Sequence, residues 1–75
     1  MPRLTPASYR DLIRVFLKVG FKISRQEGSH IIMSRPGMNR PIVIPKYDEI
    51  GVPLIKNCLK TAGIDREEYL RLLKD

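Results

Sequence analysis

The sequence is poor in the residues that build covalent or metal-bound frameworks. It contains one cysteine, Cys58, and one histidine, His30, among 75 residues. One cysteine excludes an intramolecular disulfide, and one cysteine with one histidine is too few for a metal cluster. We therefore expect no metal and no small-molecule cofactor. A chain of this length buries only a modest core, so any chemistry is expected on a surface or in a shallow groove.

Long apolar runs are also missing. No stretch approaches the roughly 20 residues of a membrane-spanning helix. The N-terminal segment MPRLTPASYRDLIRVF lacks the apolar centre of a signal peptide. Repeats, low-complexity segments and linkers are absent as well. The expectation is a single domain over residues 1–75, reduced and cytoplasmic, without a membrane partner.

Negative charge is scarce in the first part of the chain. The whole sequence has 14 Lys and Arg against 8 Asp and Glu, a net charge of +6. Residues 1–46 carry nine basic and two acidic side chains, a net of +7, whereas residues 47–75 carry five and six, a net of −1. A concentrated positive field attracts polyanions, nucleic acid first, because binding releases counterions. An acidic protein is the other partner that this field would suit.

The first helix is predicted over roughly residues 6–19. Thr5-Pro6 is a typical helix start, and Gly20 supplies a C-terminal stop. Apolar residues at helical spacing form one stripe: Tyr9, Leu12, Ile13 and Phe16. The opposite face carries basic residues four positions apart: Arg10, Arg14 and Lys18. We expect this basic ridge to steer nucleic acid toward the protein.

Three strands and two more helices are predicted after the first helix. Strands are expected at residues 21–25, 29–34 and 41–45, with turns at 26–28 and 35–39. Prolines bracket the third strand and favour an edge position. The second helix is predicted to begin at Pro53 and to end at Gly63, and Asp65 is expected to cap a third helix.

This order predicts an α+β fold of the type α-β-β-β-α. The short connections imply a three-stranded antiparallel sheet with the helices on one face, which leaves the other face partly open. The same topology is found in double-stranded-RNA-binding domains, which recognise RNA shape and phosphates. Topology alone does not determine function.

The single histidine lies at the start of the second predicted strand. Strand alternation places His30 on one face with Ile32 and Ser34, and the sequence leaves open whether that face is covered by the helices. One interpretation is a half-buried histidine that makes a hydrogen bond. The other is a reactive imidazole.

The neighbours of His30 suit the chemistry of RNA cleavage. Gly28 leaves the backbone approachable, Ser29 offers a hydroxyl group, and Arg25 offers a guanidinium that can hold a phosphate. A neutral imidazole can take the proton of a ribose 2′-hydroxyl, whose oxygen then attacks the adjacent phosphorus without a metal. A second group must protonate the leaving 5′-oxygen, and Lys46, Tyr47, a water molecule or the cycling histidine itself remain candidates.

Several segments together resemble the HicA (YcfA-like) toxin family. They are Gly20-Phe21, RQEGSH at residues 25–30, Ile44-Pro45 after a β-run, Gly51, and IKNCLKTAGI at residues 55–64. The likeness covers roughly residues 5–73, and the combination is more specific than either longer motif alone. The resemblance implies a double-stranded-RNA-binding-like fold and a ribosome-independent mRNA interferase that arrests translation. It also implies a HicB antitoxin partner and a catalytic role for His30 as the base, preceded by Gly28 and Ser29.

The sequence departs from the family pattern at two places. Many members have a histidine soon after the third strand, where this chain has Tyr47. Many also have Gly-Thr or Gly-Ser before the second helix, where Val52-Pro53 follows Gly51 here. An inactive homologue that retains RNA or antitoxin binding is therefore the alternative function.

The sequence-based hypothesis is a toxin of a type II toxin–antitoxin system that cuts mRNA without a metal. His30 is its catalytic residue. The expected RNA-binding residues are Arg25, Gly28, Ser29, Lys46, Tyr47, Arg10, Arg14 and Lys18. The antitoxin is expected to cover His30 and the basic face with acidic groups.

Overall fold

The computed structural model describes residues 4–74. The elements in chain order are α1 (Tyr9–Lys18), β1 (Lys22–Glu27), β2 (His30–Ser34), β3 (Ile42–Pro45), α2 (Val52–Ala62) and α3 (Arg66–Lys74). The strands form one antiparallel sheet in the order β1-β2-β3. This confirms the α+β class, the order α-β-β-β-α and the edge position of the third strand. Within residues 4–74, no helix is long and apolar enough to cross a membrane.

The core lies between the sheet and the helices. The sheet contributes buried side chains from alternate positions of the two strands β2 and β3: Ile31, Met33, Ile42 and Ile44. The helices cover them with fully buried residues that include Leu12, Phe16 and Ile55. On the other face of the sheet Val43 is 44% exposed and His30 is exposed. One face of the sheet is therefore open, as the topology predicted.

The first helix begins three residues later than predicted. Ser8 is the N-cap, and its side chain accepts a hydrogen bond from the backbone N–H of Asp11 at 3.3 Å. The Thr5-Pro6 prediction is wrong because Ala7 is held in an extended bridge. Its N–H donates to the carbonyl of Ile50 at 3.2 Å, and its carbonyl accepts from the N–H of Ile50 at 2.7 Å. A residue paired in this way cannot contribute to a helix.

The turn between β1 and β2 is shorter than predicted. It consists of Gly28 and Ser29 alone, so that Glu27 pairs with His30 across it. Gly28 has φ +59°, whereas no other residue type among positions 4–74 has a positive φ. A positive φ at the first central position only is typical of a type II′ hairpin turn. The predicted turn at residues 26–28 was thus placed too early, and β1 extends to Glu27.

The caps of the later helices explain where they begin and end. Gly63 takes the left-handed conformation at φ 75° and ends α2, and the Asp65 side chain accepts from the N–H of Glu68 at 2.8 Å to start α3. The predicted end of α2 at Gly63 and the predicted cap of α3 by Asp65 are confirmed. Gly51 is the N-cap of α2, and because glycine has no side chain, no side-chain hydrogen bond caps this helix.

Candidate active site

His30 projects from the open face of the sheet. Its neighbours Ile31 and Met33 are buried against the helices, so strand alternation turns His30 away from the core. The side chain is exposed, and none of the residues 4–74 makes a hydrogen bond to it. The open face is therefore the one that carries the histidine, and the half-buried interpretation is wrong.

The end of β3 brings a lysine to the turn beside His30. Pro45 is the cross-strand partner of His30. The next residue, Lys46, donates its backbone N–H to the carbonyl of Ser29 at 2.7 Å. This bond fixes the loop after β3 against the Gly28-Ser29 turn. Residues that lie far apart in the sequence thus meet at one end of the sheet.

A tyrosine from α1 joins the same end of the sheet. The N–H of Tyr9 donates to the carbonyl of Tyr47 at 3.1 Å. The Lys46 ammonium lies 5.9 Å from the centre of the Tyr9 ring, and the Arg10 guanidinium carbon lies 5.1 Å from it. Attraction between a cation and the ring electrons holds both basic side chains near the aromatic surface. Tyr47 itself is 56% exposed, which leaves its ring available for stacking.

The β1 strand adds an ion pair to the open face. Arg25 is the cross-strand partner of Ile32, and Glu27 is the partner of His30, so both lie on the side of the histidine. The Arg25 Nε lies 2.7 Å from a carboxylate oxygen of Glu27. Sequence reasoning missed Glu27 because it assigned this residue to the turn. The Gly-Ser dipeptide was the signal that marked the true two-residue turn.

Two of the three basic residues of α1 contact the C-terminal helix. Arg14 donates to the carbonyl of Leu73 and Lys18 donates to the carbonyl of Leu72, each at 2.9 Å. These carbonyls belong to the last turn of α3, where the helix dipole favours positive charge. Arg14 and Lys18 therefore hold α3 against α1, and only Arg10 lies beside the site. Their part in RNA binding stays a prediction.

A comparison with known families identifies the type of protein. The model of the family described as the HicA toxin of bacterial toxin–antitoxin systems matches residues 9–64. The chain belongs to the HicA toxin family. The resemblance inferred from the motifs is therefore confirmed, and the match includes every residue of the site, from Tyr9 to Tyr47. No curated protein matches the chain.

The remaining polar candidates of this HicA chain have structural roles. Burial raises the pKa of the Cys58 thiol to about 11, and the side chain is 5% exposed, as expected for a core residue.

Arg35 donates to the carbonyl of Val19 at 3.0 Å and lies 4.7 Å from the centre of the Phe21 ring. It ties the end of α1 to the sheet, and sequence reasoning did not find this role.

Proposed function

We propose that this HicA toxin is a ribosome-independent endoribonuclease that cuts single-stranded mRNA. His30 transfers a proton in the reaction, and no metal ion takes part. The cut follows the usual chemistry of RNA, in which the ribose 2′-oxygen attacks the adjacent phosphorus and the 5′-oxygen leaves. The cell then loses mRNA, and translation stops.

The observation that carries this proposal is the exposure of His30 among groups that suit a phosphate. The imidazole stands on the central strand of an open sheet face, next to a glycine turn. Lys46 is anchored by its backbone to Ser29, and Arg25 lies on the same sheet face as His30. These cations can neutralise the charge that develops on phosphorus in the transition state.

An exposed tyrosine supports the choice of single-stranded RNA. Bases in a single strand are free to stack on aromatic side chains, and this contact tolerates many sequences. Tyr47 follows Lys46 in the sequence and offers an exposed ring, and Arg10 adds a cation over the ring of Tyr9, whose N–H donates to the Tyr47 carbonyl. The proposed roles are stacking for Tyr47 and phosphate binding for Arg10, Arg25 and Lys46, with Gly28 and Ser29 shaping the turn.

The antitoxin is the second proposed partner. The family is one of toxin–antitoxin pairs, and we expect a HicB-like protein to cover His30 with acidic groups. Residues 1–46, which contain His30 and most of the site, carry a net charge of +7. An acidic partner would compete with RNA for this field.

A non-catalytic RNA-binding or antitoxin-binding module is the second candidate. The observation that favours it is Tyr47, which stands where many family members have a histidine. A phenol ring can stack on RNA without moving a proton. The two candidates differ in one outcome, because only the enzyme shortens RNA.

The deciding experiment is induced expression in bacteria of the parent and of His30→Ala, with growth and mRNA integrity followed together. The expected result is growth arrest and fragmented mRNA for the parent, and neither for the variant. Circular dichroism of the purified variant shows whether it folds. If the parent leaves mRNA intact while binding RNA in vitro, the protein is a non-catalytic RNA-binding module and not an endoribonuclease. Equal damage by both proteins would rule out a role for His30.

A further inference from the structure

A reaction of this type needs two proton-transfer groups, and this chain has one histidine. One group removes the 2′-hydroxyl proton and the other protonates the leaving 5′-oxygen. In an in-line displacement the attacking and leaving oxygens lie on opposite sides of phosphorus. The two groups must therefore flank the phosphate rather than touch each other.

Glu27 and His30 meet this requirement. They are direct cross-strand partners at the end of the β1–β2 hairpin. Side chains at such positions share a face, and their Cβ atoms lie about 4.5–5.5 Å apart. No ion pair joins them among the residues that the structure describes, since the only partner of the Glu27 carboxylate there is Arg25. Both side chains are exposed, so a phosphate can enter between them.

We propose that Glu27 is the general base and His30 the general acid of RNA cleavage. This inference rests on the proposed function and assigns its two proton transfers. The carboxylate of Glu27 accepts the 2′-hydroxyl proton while the bond from O2′ to phosphorus forms. The bond from phosphorus to O5′ breaks, and the imidazolium of His30 gives its proton to O5′. The products are a 2′,3′-cyclic phosphate and a 5′-hydroxyl, and exchange with water restores both side chains.

The ion pair with Arg25 explains the direction of the transfers. In this pair the Glu27 carboxylate is the acceptor, 2.7 Å from the Arg25 Nε, so it is the group placed to take a proton. An imidazole is able to carry the proton that the leaving group needs. The sequence alone suggested His30 as the base, because Glu27 had been assigned to the turn.

The same ion pair provides a way to admit the substrate. Both partners are largely exposed, with 66% and 58% of their side-chain surface accessible. Exposed pairs of this kind are weak, because water screens the attraction. A phosphate of RNA therefore competes for Arg25, and its binding releases the carboxylate toward the 2′-hydroxyl. Arg25 thus has two roles in sequence. It positions Glu27 before the substrate arrives, and it then binds the phosphate of the RNA.

The first test compares purified full-length Glu27→Gln and His30→Ala with the parent on an RNA transcript. Each substitution is expected to slow cleavage about 10²–10⁴-fold, the usual contribution of one acid or base. The double variant is expected to be about as slow as either single variant, since the pair acts as a unit. RNA affinity of Glu27→Gln should be unchanged or tighter, because a negative charge is removed. Glu67→Gln, which makes the same charge change on α3, should cleave like the parent.

The second test separates acid from base. The preferred cleavage site is mapped, and an oligonucleotide is made with sulfur in place of the 5′-oxygen at that linkage. A thiolate leaves without a proton, so the general acid is no longer needed. His30→Ala should recover most of its lost rate on this substrate, to within about tenfold of the parent. Glu27→Gln should keep its loss, and Glu27→Asp should regain part of it on either substrate.

The outcomes distinguish this inference from the function on which it rests. If Glu27→Gln cleaves within a few-fold of the parent while His30→Ala is inactive, the enzyme stands and Glu27 is not its base. If sulfur rescues Glu27→Gln instead of His30→Ala, the proposed direction of proton transfer is wrong. If the parent leaves RNA intact, the proposed function fails and this assignment fails with it.

Discussion

The backbone N–H of Lys46 donates to the carbonyl oxygen of Ser29 across 2.7 Å. This bond joins the turn that precedes His30 to the loop that follows β3. The position of the Lys46 backbone relative to His30 therefore depends on the shape of a two-residue turn. Substitutions that change this turn should affect RNA cleavage more than the fold.

Gly28→Ala tests this dependence. Gly28 has φ +59°, and a Cβ added there meets nothing within 4 Å, so the cost is backbone strain alone. We expect a loss of about 1–3 kcal/mol in the free energy of unfolding, the usual penalty for a non-glycine residue in a sparsely populated backbone conformation. We also expect slower RNA cleavage at temperatures where the variant is folded, because the turn shifts. Urea unfolding and a cleavage assay measure the two effects.

Gly37→Ala is the matched control for Gly28→Ala. Gly37 follows Pro36 in the β2–β3 turn, at the opposite end of the hairpins, with φ +86° and open space at the Cβ position. A similar loss of stability is expected with parental cleavage. If both variants lose activity equally, the effect of Gly28→Ala is only a loss of folded protein.

Arg35→Leu should destabilise the domain without weakening RNA binding. The substitution removes a charged hydrogen bond to Val19 and the contact with Phe21, which together are worth about 2 kcal/mol. Arg40→Leu makes the same change at an exposed position of the same turn and should be close to neutral. Thermal unfolding of both proteins checks this. If Arg35→Leu is as stable as Arg40→Leu, the contacts of Arg35 with Val19 and Phe21 contribute nothing to stability.

Arg14→Gln with Lys18→Gln separates two roles of the basic ridge. Loss of the bonds to the last turn of α3 should cost about 0.5–1 kcal/mol per residue. Arg14 and Lys18 keep their positive charges while they bond to α3. We therefore expect these charges to attract RNA over a distance without contacting its phosphates. Association at low salt should therefore slow, whereas the salt dependence of affinity should stay the same. A slope reduced by about 0.7 per residue would instead show direct phosphate contacts.

Lys56→Gln with Lys60→Gln is the control for charge. Both residues are exposed on α2, and the pair removes the same two positive charges. Stability should not fall, because neither side chain bonds to α3 in the described residues. If this control slows association as much as the ridge variant, the net charge steers RNA and the ridge has no special part.

Alkaline pH should destabilise the fold through Cys58. Burial raises the pKa of this thiol from 9.0, the value of an exposed thiol, to about 11 in the folded state. The folded state thus binds a proton that the unfolded state releases, so stability falls as pH rises between these values and levels off above about 11. The difference corresponds to about 2–3 kcal/mol. Urea unfolding from pH 8 to pH 11 measures it.

Cys58→Ala isolates the contribution of the thiol from other groups that titrate at alkaline pH. The variant is expected to be less stable at pH 8, because packing is lost beside the Val43 carbonyl, 4.0 Å from the sulfur. The further loss in its free energy of unfolding between pH 8 and pH 11 should be smaller than that of the parent. The same decline in both proteins would contradict the raised pKa of Cys58.

Local sequence signals were sufficient for most of the fold. Gly63 and Asp65 predicted the end of α2 and the start of α3, because backbone conformation and capping act within a few residues. Alternation predicted β2, and prolines predicted the edge position of β3. The start of α1 was placed too early because Thr5 followed by Pro6 is a good local helix start, as is Ser8. Only the pairing of Ala7 with Ile50 decides between them.

The sequence by itself determined the order of elements, the positive field of residues 1–46 and the family motif around His30. These depend on composition and on neighbours along the chain. The tertiary structure decided which sheet face carries the histidine and that Glu27 stands opposite it. It also decided that Lys46 meets Ser29, while Arg14 and Lys18 hold the last turn of α3. Such contacts join residues distant in sequence, and they follow from strand register and helix packing, which no local pattern records.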